Sequence, residues 1–323
     1  MFRYSARVTF FVLAAGLPQF VLAQAWPVKP VRVIVPVSAG GGIDTVARAM
    51  SQKFSEAWKQ PVVVENRAGA GGTIGADVVA KAPKDGYTLL INSTSLASSA
   101  VQYSKLPYDA IRDFAPVTQI ITTYLMLGTN IKVPVTTVRE LVALAKAQPG
   151  KLNFGSTGSG GSPHLVSELF RLEAGINVVH VPYKGDAPLQ PALISDEVQY
   201  AFLTPIALLQ HVKSGRVRAL AVTGNQRATI APDVPTIAEA GYPGVELLGW
   251  IGVFATAGTP REVLLRIADD TRSILKMPEI AARVPGWGGD ASGSTPDEFS
   301  ARYRADIAKY ARIVREAKIP LLD

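Results

Sequence analysis

Residues 31–50 read Val-Arg-Val-Ile-Val-Pro-Val-Ser-Ala-Gly-Gly-Gly-Ile-Asp-Thr-Val-Ala-Arg-Ala-Met. Val31 to Val37 are mostly β-branched and apolar, as a buried strand is, and from Ile43 the apolar spacing turns helical, with Val46, Met50 and Phe54 on one stripe. Ser38-Ala39-Gly40-Gly41-Gly42 forms the joint. Its glycines permit positive φ and close approach, and the helix that follows points unpaired N–H groups back at the same spot. That is an anion site in outline, although many α/β chains turn a corner in the same way. Asp44 reads first as a helix cap and second as a ligand contact.

Working outward, strand-like and helix-like stretches alternate. Val62 to Glu65 is followed by a Gly-rich loop (Gly69, Gly71, Gly72), a helical stretch from Ile74 to Ala82 and a strand from Tyr87 to Asn92. This order predicts an α/β fold of mostly parallel sheets flanked by helices, with ligands at the carboxyl ends of strands. The loops after Val37, Asn92, Phe154 and Val181 are expected to converge on one cleft. Capping boxes at Thr137/Glu140, Thr236/Glu239, Thr259/Glu262 and Thr295/Glu298 predict helix starts. Leu125-Met126-Leu127-Gly128 and Gly252-Val253-Phe254-Ala255 precede two of them in similar surroundings, which suits a chain leaving one domain and returning. Domain one is therefore expected at 26–124 plus 251–323 and domain two at 125–250. The last helix, 296–317, carries Phe299, Tyr303, Ile307, Tyr310 and Val314 on one face and should pack on domain one.

Residues 1–25 have the build of a secretory signal peptide: Arg3 and Arg7, an apolar run from Val8 to Leu17, and small residues that place cleavage near Ala23 or Ala25. The run is too short to span a bilayer. With no cysteine, neither a lipid anchor at the cleavage site nor a disulfide is available. The expected product is an exported, periplasmic chain with a monomer as its default state. Removing Arg3 and Arg7 lowers the net charge from +7 to +5, 31 basic against 26 acidic residues. No Lys/Arg block carries interleaved aromatics, which argues against nucleic acid as a partner.

A second loop has the same chemistry as the first. Phe154-Gly155-Ser156-Thr157-Gly158-Ser159-Gly160-Gly161-Ser162-Pro163-His164 lies between a short strand and a helix. It offers N–H and O–H donors without charge, which suits a carboxylate. No Lys-Ser or Lys-Thr follows, so it is not a P-loop, and no serine has glycine two residues to each side, so it is not a nucleophile elbow. His164, His180 and His211 have no partner at metal-ligand spacing and read as core or surface residues, so neither a metal nor a cofactor is implied. Gly69 to Gly75 misses the dinucleotide fingerprint by one place. Among the tryptophans, Trp250 is the one placed to wall a cleft.

Together, Pro36 to Asp44, Pro61-Val62-Val63-Val64-Glu65-Asn66-Arg67-Ala68-Gly69-Ala70-Gly71-Gly72, Lys81 to Leu90, Leu106-Pro107-Tyr108-Asp109, Val179 to Gly185 and Asp233-Val234-Pro235-Thr236 resemble the Bug family. These are the periplasmic solute-binding proteins of tripartite tricarboxylate transporters. The resemblance covers nearly all of the chain after residue 25. It implies a two-domain, Venus-flytrap periplasmic-binding-protein fold that closes on a small carboxylic acid, and a membrane permease of a large and a small subunit as partner. By the same resemblance the ligand carboxylate is held by Ser38, Ala39, Gly40, Gly41 and Gly42 with Asp44, and by Ser156, Thr157, Gly158, Ser159 and Ser162. Asn92 and Ser93, with Thr94 and Ser95, are implied to line the same cleft.

Two departures bear on the ligand. The family's usual Pro-Phe-Pro-Pro-Gly-Gly-Gly-Thr-Asp reads here Pro36-Val37-Ser38-Ala39-Gly40-Gly41-Gly42-Ile43-Asp44, and a common Phe-Asp-Asn reads Phe202-Leu203-Thr204. The second change removes an acid that would pair with an ammonium group. Leu203 and Thr204 thus join the candidate set, and the expected ligand is a di- or tricarboxylate or an aromatic acid, not an amino acid. Competing readings are a periplasmic sensor with the same binding physics and an exported serine hydrolase using Ser156 or Ser159 with His164 as base.

Overall fold

The computed structural model describes residues 26–158 and 160–322. The expected signal peptide and Ser159 lie outside the described residues. The chain opens with β1 (Val31–Val35), α1 (Gly42–Trp58), β2 (Val62–Asn66), α2 (Thr73–Ala80) and β3 (Thr88–Ser93). A helix between successive strands brings the chain back to the same end of the sheet, so β1 pairs parallel with both β2 and β3. Val31, Val33 and Val35 share an apolar cluster with Val46, Met50 and Phe54 of α1, the stripe legible in the sequence.

Next come α3 (Ser95–Gln102) and β4 (Phe114–Thr123). Only Tyr124 and Leu125 separate β4 from β5 (Met126–Asn130), which lies in a second sheet. The second lobe continues through α4 (Val138–Ala147), β6 (Asn153–Ser156), α5 (Ser162–Ala174), β7 (Val179–Pro182), α6 (Asp186–Ser195), β8 (Tyr200–Leu203), α7 (Pro205–Lys213) and β9 (Val217–Val222). The return strand β10 (Gly249–Thr256) is followed by α8 (Arg261–Leu275), α9 (Pro278–Ala281), β11 (Gly289–Ala291) and α10 (Pro296–Glu316). Strand order is β11-β4-β10-β3-β1-β2 in the first sheet and β7-β6-β8-β5-β9 in the second.

As expected, most strands of each sheet run one way, β1 to β4 in the first and β6 to β9 in the second. β10 runs antiparallel to β3 and β4, β5 antiparallel to β8 and β9, and β11 antiparallel to β4. For β5 and β10 the reason is the crossing: they are the strands on which the chain has just arrived from the other lobe. Each enters from the seam and runs away from it, between strands that run toward it. The two crossings lie side by side, with Thr123 opposite Gly249 in the first sheet and Leu125 exchanging hydrogen bonds with Thr223 (2.9 and 3.0 Å).

Capping boxes close the starts of α4 at Thr137/Glu140 and α10 at Thr295/Glu298. Thr236 and Glu239 make the same reciprocal bonds around a single turn that does not grow into a helix. At Thr259 the expectation fails. Its hydroxyl donates to the Thr256 carbonyl (2.8 Å), and Pro260 takes the cap position of α8 without a side-chain bond.

Phe299, Tyr303, Tyr310 and Val314 of α10 are buried as their spacing predicts. One apolar cluster runs from Ile34 and Leu90 through Trp250 to Phe170 and Phe202, joining both lobes. Trp250 belongs to it. It is 1% exposed, packs edge-on against Phe299 (5.1 Å) and donates to Asp306 (2.9 Å), so it anchors α10 to β10 and does not wall a cleft. Replacing Trp250 with alanine is expected to cost about 3–5 kcal/mol of stability. A urea titration with unchanged slope and a lower midpoint checks this.

Candidate functional site

The first loop leaves the carboxyl end of β1. Ser38, Ala39, Gly40, Gly41 and Gly42 are all exposed, and α1 starts behind them with Gly41 as its cap residue. Asp44 is not the cap. Its buried carboxylate accepts from the Gly40 N–H (2.8 Å), Arg48 Nε (2.9 Å) and Asn66 Nδ2 (2.8 Å), which ties the loop to the helix and to β2. Burial alone would raise its pKa, but the bonds from Arg48, Gly40 and Asn66 outweigh that and hold it at about 2. Both oxygens are committed inside the protein, so Asp44 shapes the loop. Asn66 also donates to the Val37 carbonyl (3.0 Å). Beneath the loop, Gly75 of α2 must be glycine, since a Cβ there would lie 2.9 Å from Pro36 Cα and from the Arg67 carbonyl. Gly75 therefore serves packing, whereas Gly71 lines an inter-lobe cavity.

The second loop leaves β3, the neighbour of β1. Asn92, 1% exposed, accepts from the Ser93 N–H (2.8 Å) and the Ser95 hydroxyl (2.9 Å). Asn92 thus sets the turn and leaves Ser93 and Ser95 partly exposed.

The third loop belongs to the other lobe, between β6 and α5. Ser156 is fully buried, bonded to His180 Nε2 (2.7 Å) and to the Gly158 carbonyl (3.1 Å). The Gly160 N–H donates to His164 Nδ1 (2.9 Å), which places the proton of a neutral ring on Nε2. The two imidazoles stack with centroids 4.0 Å apart, and Phe154 stacks on His180 at 4.8 Å. Burial pushes both histidines down to about 4, and His164 is lowered further by the charge His180 would carry and by Arg171. Two neutral, stacked rings thus hold the Gly/Ser loop at both ends. The sequence carried no sign of this pairing, because β7 and α5 meet only once β6 lies between them. Thr157, Gly158 and Ser162 remain partly exposed.

Thr94 Oγ1 meets Ser162 Oγ at 3.1 Å, a direct contact between the second loop and the third. A cavity of about 220 Å³ opens beside it, lined by Ser95, Ser98, Ser99 and Gln102 on one wall and Thr157, Gly158, Gly160 and Gly161 on the other. Ala39 and Gly40 line a different cavity of about 470 Å³, with Arg48, Arg283 and Trp287. The first loop therefore shares a sheet edge with the second but not that cavity. Leu203 is corrected: it is fully buried in the core of the second lobe, because β8 lies between β6 and β5 and all four of its residues are covered. Thr204 is half-buried at the cap of α7 and accepts from the Ala207 N–H (3.4 Å).

Among the described residues no group of three His, Cys, Asp or Glu is placed to hold a metal ion, and no helix is long and apolar enough to cross a membrane.

Residues 46–318 match the model of the tripartite tricarboxylate transporter family receptor. The chain belongs to that family. It is similar to Protein BugT of Bordetella pertussis, 35% identical over 318 residues and 98% of either chain. Among solved structures it is similar to Rhodopseudomonas palustris Rpa4515 with adipate (33% identity, TM-score 0.78, 92% of this chain and 100% of that one). MatC from the same organism with bound malate is 27% identical, with a TM-score of 0.73 over 90% of this chain and all of the other. The receptor family and these relatives are binding proteins of the two-lobed fold described above.

The histidine pair gives this receptor a pH dependence. Both rings have folded pKa values below the unfolded value of about 6.5, so their contribution is complete above that pH and is lost as pH falls toward 4. The melting temperature should fall across that window, and His164→Leu should flatten the slope. A thermal scan series from pH 7.5 to 4 reads both.

Proposed function

We propose that this chain is a periplasmic receptor that captures a small dicarboxylic, tricarboxylic or aromatic acid between its lobes and delivers it, as a monomer, to a membrane permease of large and small subunits. The observation that carries the reading is the contact of Thr94 with Ser162, where uncharged loops of two lobes, each ahead of a helix, come together. Main-chain amides and hydroxyls there replace the solvation shell of a carboxylate. The groups with free surface, Ser38 to Gly42, Ser93, Ser95, Thr157, Gly158, Ser162 and Thr204, are the proposed contacts. Asp44, Asn92 and Ser156 hold those contacts in place. We place the lobe boundaries at 124/125 and 250/251, beside the two crossings. The adipate and malate bound by relatives support the acid class. The basic, apolar N-terminus supports export.

A hydrolytic reading has one observation in its favour, the Ser156–His180 bond. Ser156 has no exposed surface and His180 no carboxylate bonded to it among the described residues, so the pair lacks the access and the orienting group of a nucleophile.

Calorimetric titration with malate, adipate, citrate, benzoate, glutamate and aspartate tests the proposal. Saturable binding of at least one acid without an amino group is expected, and tight binding of an amino acid alone overturns it. Ser162→Ala should weaken the bound acid by roughly threefold to tenfold, the worth of one hydrogen bond, with the fold intact by circular dichroism.

A further inference from the structure

Gln102 ends α3 in the first lobe, is 5% exposed, and does not belong to the loops proposed to hold solute. Its side-chain Nε2 donates to the Gly160 carbonyl across the seam. Its main-chain carbonyl accepts from the Leu322 N–H (2.7 Å), while the Ser104 N–H donates to the Leu322 carbonyl (2.9 Å). The C-terminal tail is thereby laced to the end of α3 as a short parallel bridge at Tyr103. On the other side, the Gly160 N–H is already held by His164. A hydrogen-bonded line thus runs from His164 through Gly160 and Gln102 to Leu322, from one lobe to the other.

Steric fit is equally specific. Gly160 has φ +80°, and a Cβ there would lie 2.2 Å from Gln102 Oε1. The glutamine amide occupies the place where any other residue at 160 would carry its side chain. It also divides two inter-lobe cavities, the one of about 220 Å³ already described and one of about 340 Å³ lined by His164, Glu168, His180 and Lys318.

We propose that Gln102 is a closure latch: its amide engages Gly160 only when the lobes approach, and so biases the receptor toward the closed form. This rests on the reading that the lobes close on a ligand. A contact made in one state shifts the open-to-closed ratio by its differential free energy, so one buried amide–carbonyl bond amounts to roughly threefold to tenfold. The tail holds the main chain of Gln102 in register for that bond.

The full chain has no cysteine, so Lys151→Cys in the second lobe and Lys276→Cys in the first, both exposed, can carry spin labels for distance measurement. Gln102→Met keeps the volume and removes the donor, and at pH 8 it is expected to lengthen the inter-lobe distance. Gln102→Glu should do the same at pH 8, where an ionised carboxylate has no proton to donate to the Gly160 carbonyl. The facing groups are His164, Glu168, His180 and Lys318, and both histidines stay neutral at that pH. Distributions of both variants that superimpose on the parent at pH 8 overturn the latch. Should Gln102→Glu misfold by circular dichroism, the Gln102→Met distances decide alone. With adipate as probe, release from Gln102→Met should be roughly threefold to tenfold faster. An unchanged release rate also counts against the latch, whereas binding of no carboxylic acid by the parent chain defeats the functional reading and leaves the distance test standing.

Discussion

The chain crosses between lobes twice, and both crossings are short and adjacent. That constraint orders nearly everything else. Because β4 runs to the seam and β5 starts from it, and β10 starts from it on return, the flanking strands β3, β8 and β9 and their parallel neighbours end at the seam. Loops that follow carboxyl ends begin helices, and helix beginnings present unpaired N–H groups. Two lobes built this way point partial positive charge at one another with no basic side chain in the Gly/Ser loops.

Such loops have too little side chain to hold their own shape, and the molecule supplies the support from behind. Asp44 is braced by Arg48 and Asn66, Asn92 folds back on Ser93 and Ser95, and Ser156 and Gly160 lean on the stacked pair His180 and His164. In each case a buried polar group is satisfied by neighbours inside its own lobe, which leaves the exposed amides and hydroxyls free for a solute. Burial of the acceptors is what makes the support stiff, since an unpaired polar atom there would be costly. The charged braces are local pairs at the edge of the site, so the field at its centre is set by dipoles.

Comparison of expectation and structure shows where local reading stops. The stripe of Val46, Met50 and Phe54 and the boxes at Thr137 and Thr295 were legible because their partners lie within one or two turns. At Thr259 the same pattern misled, because Pro260 displaced the box and the hydroxyl found a carbonyl upstream. Asp44 read as a cap because caps are local, whereas its second oxygen is taken by Asn66, 22 residues on. Leu203 read as a ligand contact from its place in a motif, but a central strand flanked on both sides buries every residue.

By itself, the sequence determined the α/β class, the family, and the two uncharged Gly/Ser loops ahead of helices, because each is written in residue types at close spacing. Only the tertiary structure decided which loops meet, that His164 and His180 share a stack, and that Gln102 reaches Gly160. The histidine stack depends on how α5 lies against β6 and β7 within one lobe, and the other contacts on how the two lobes meet, between residues 68 and 58 positions apart.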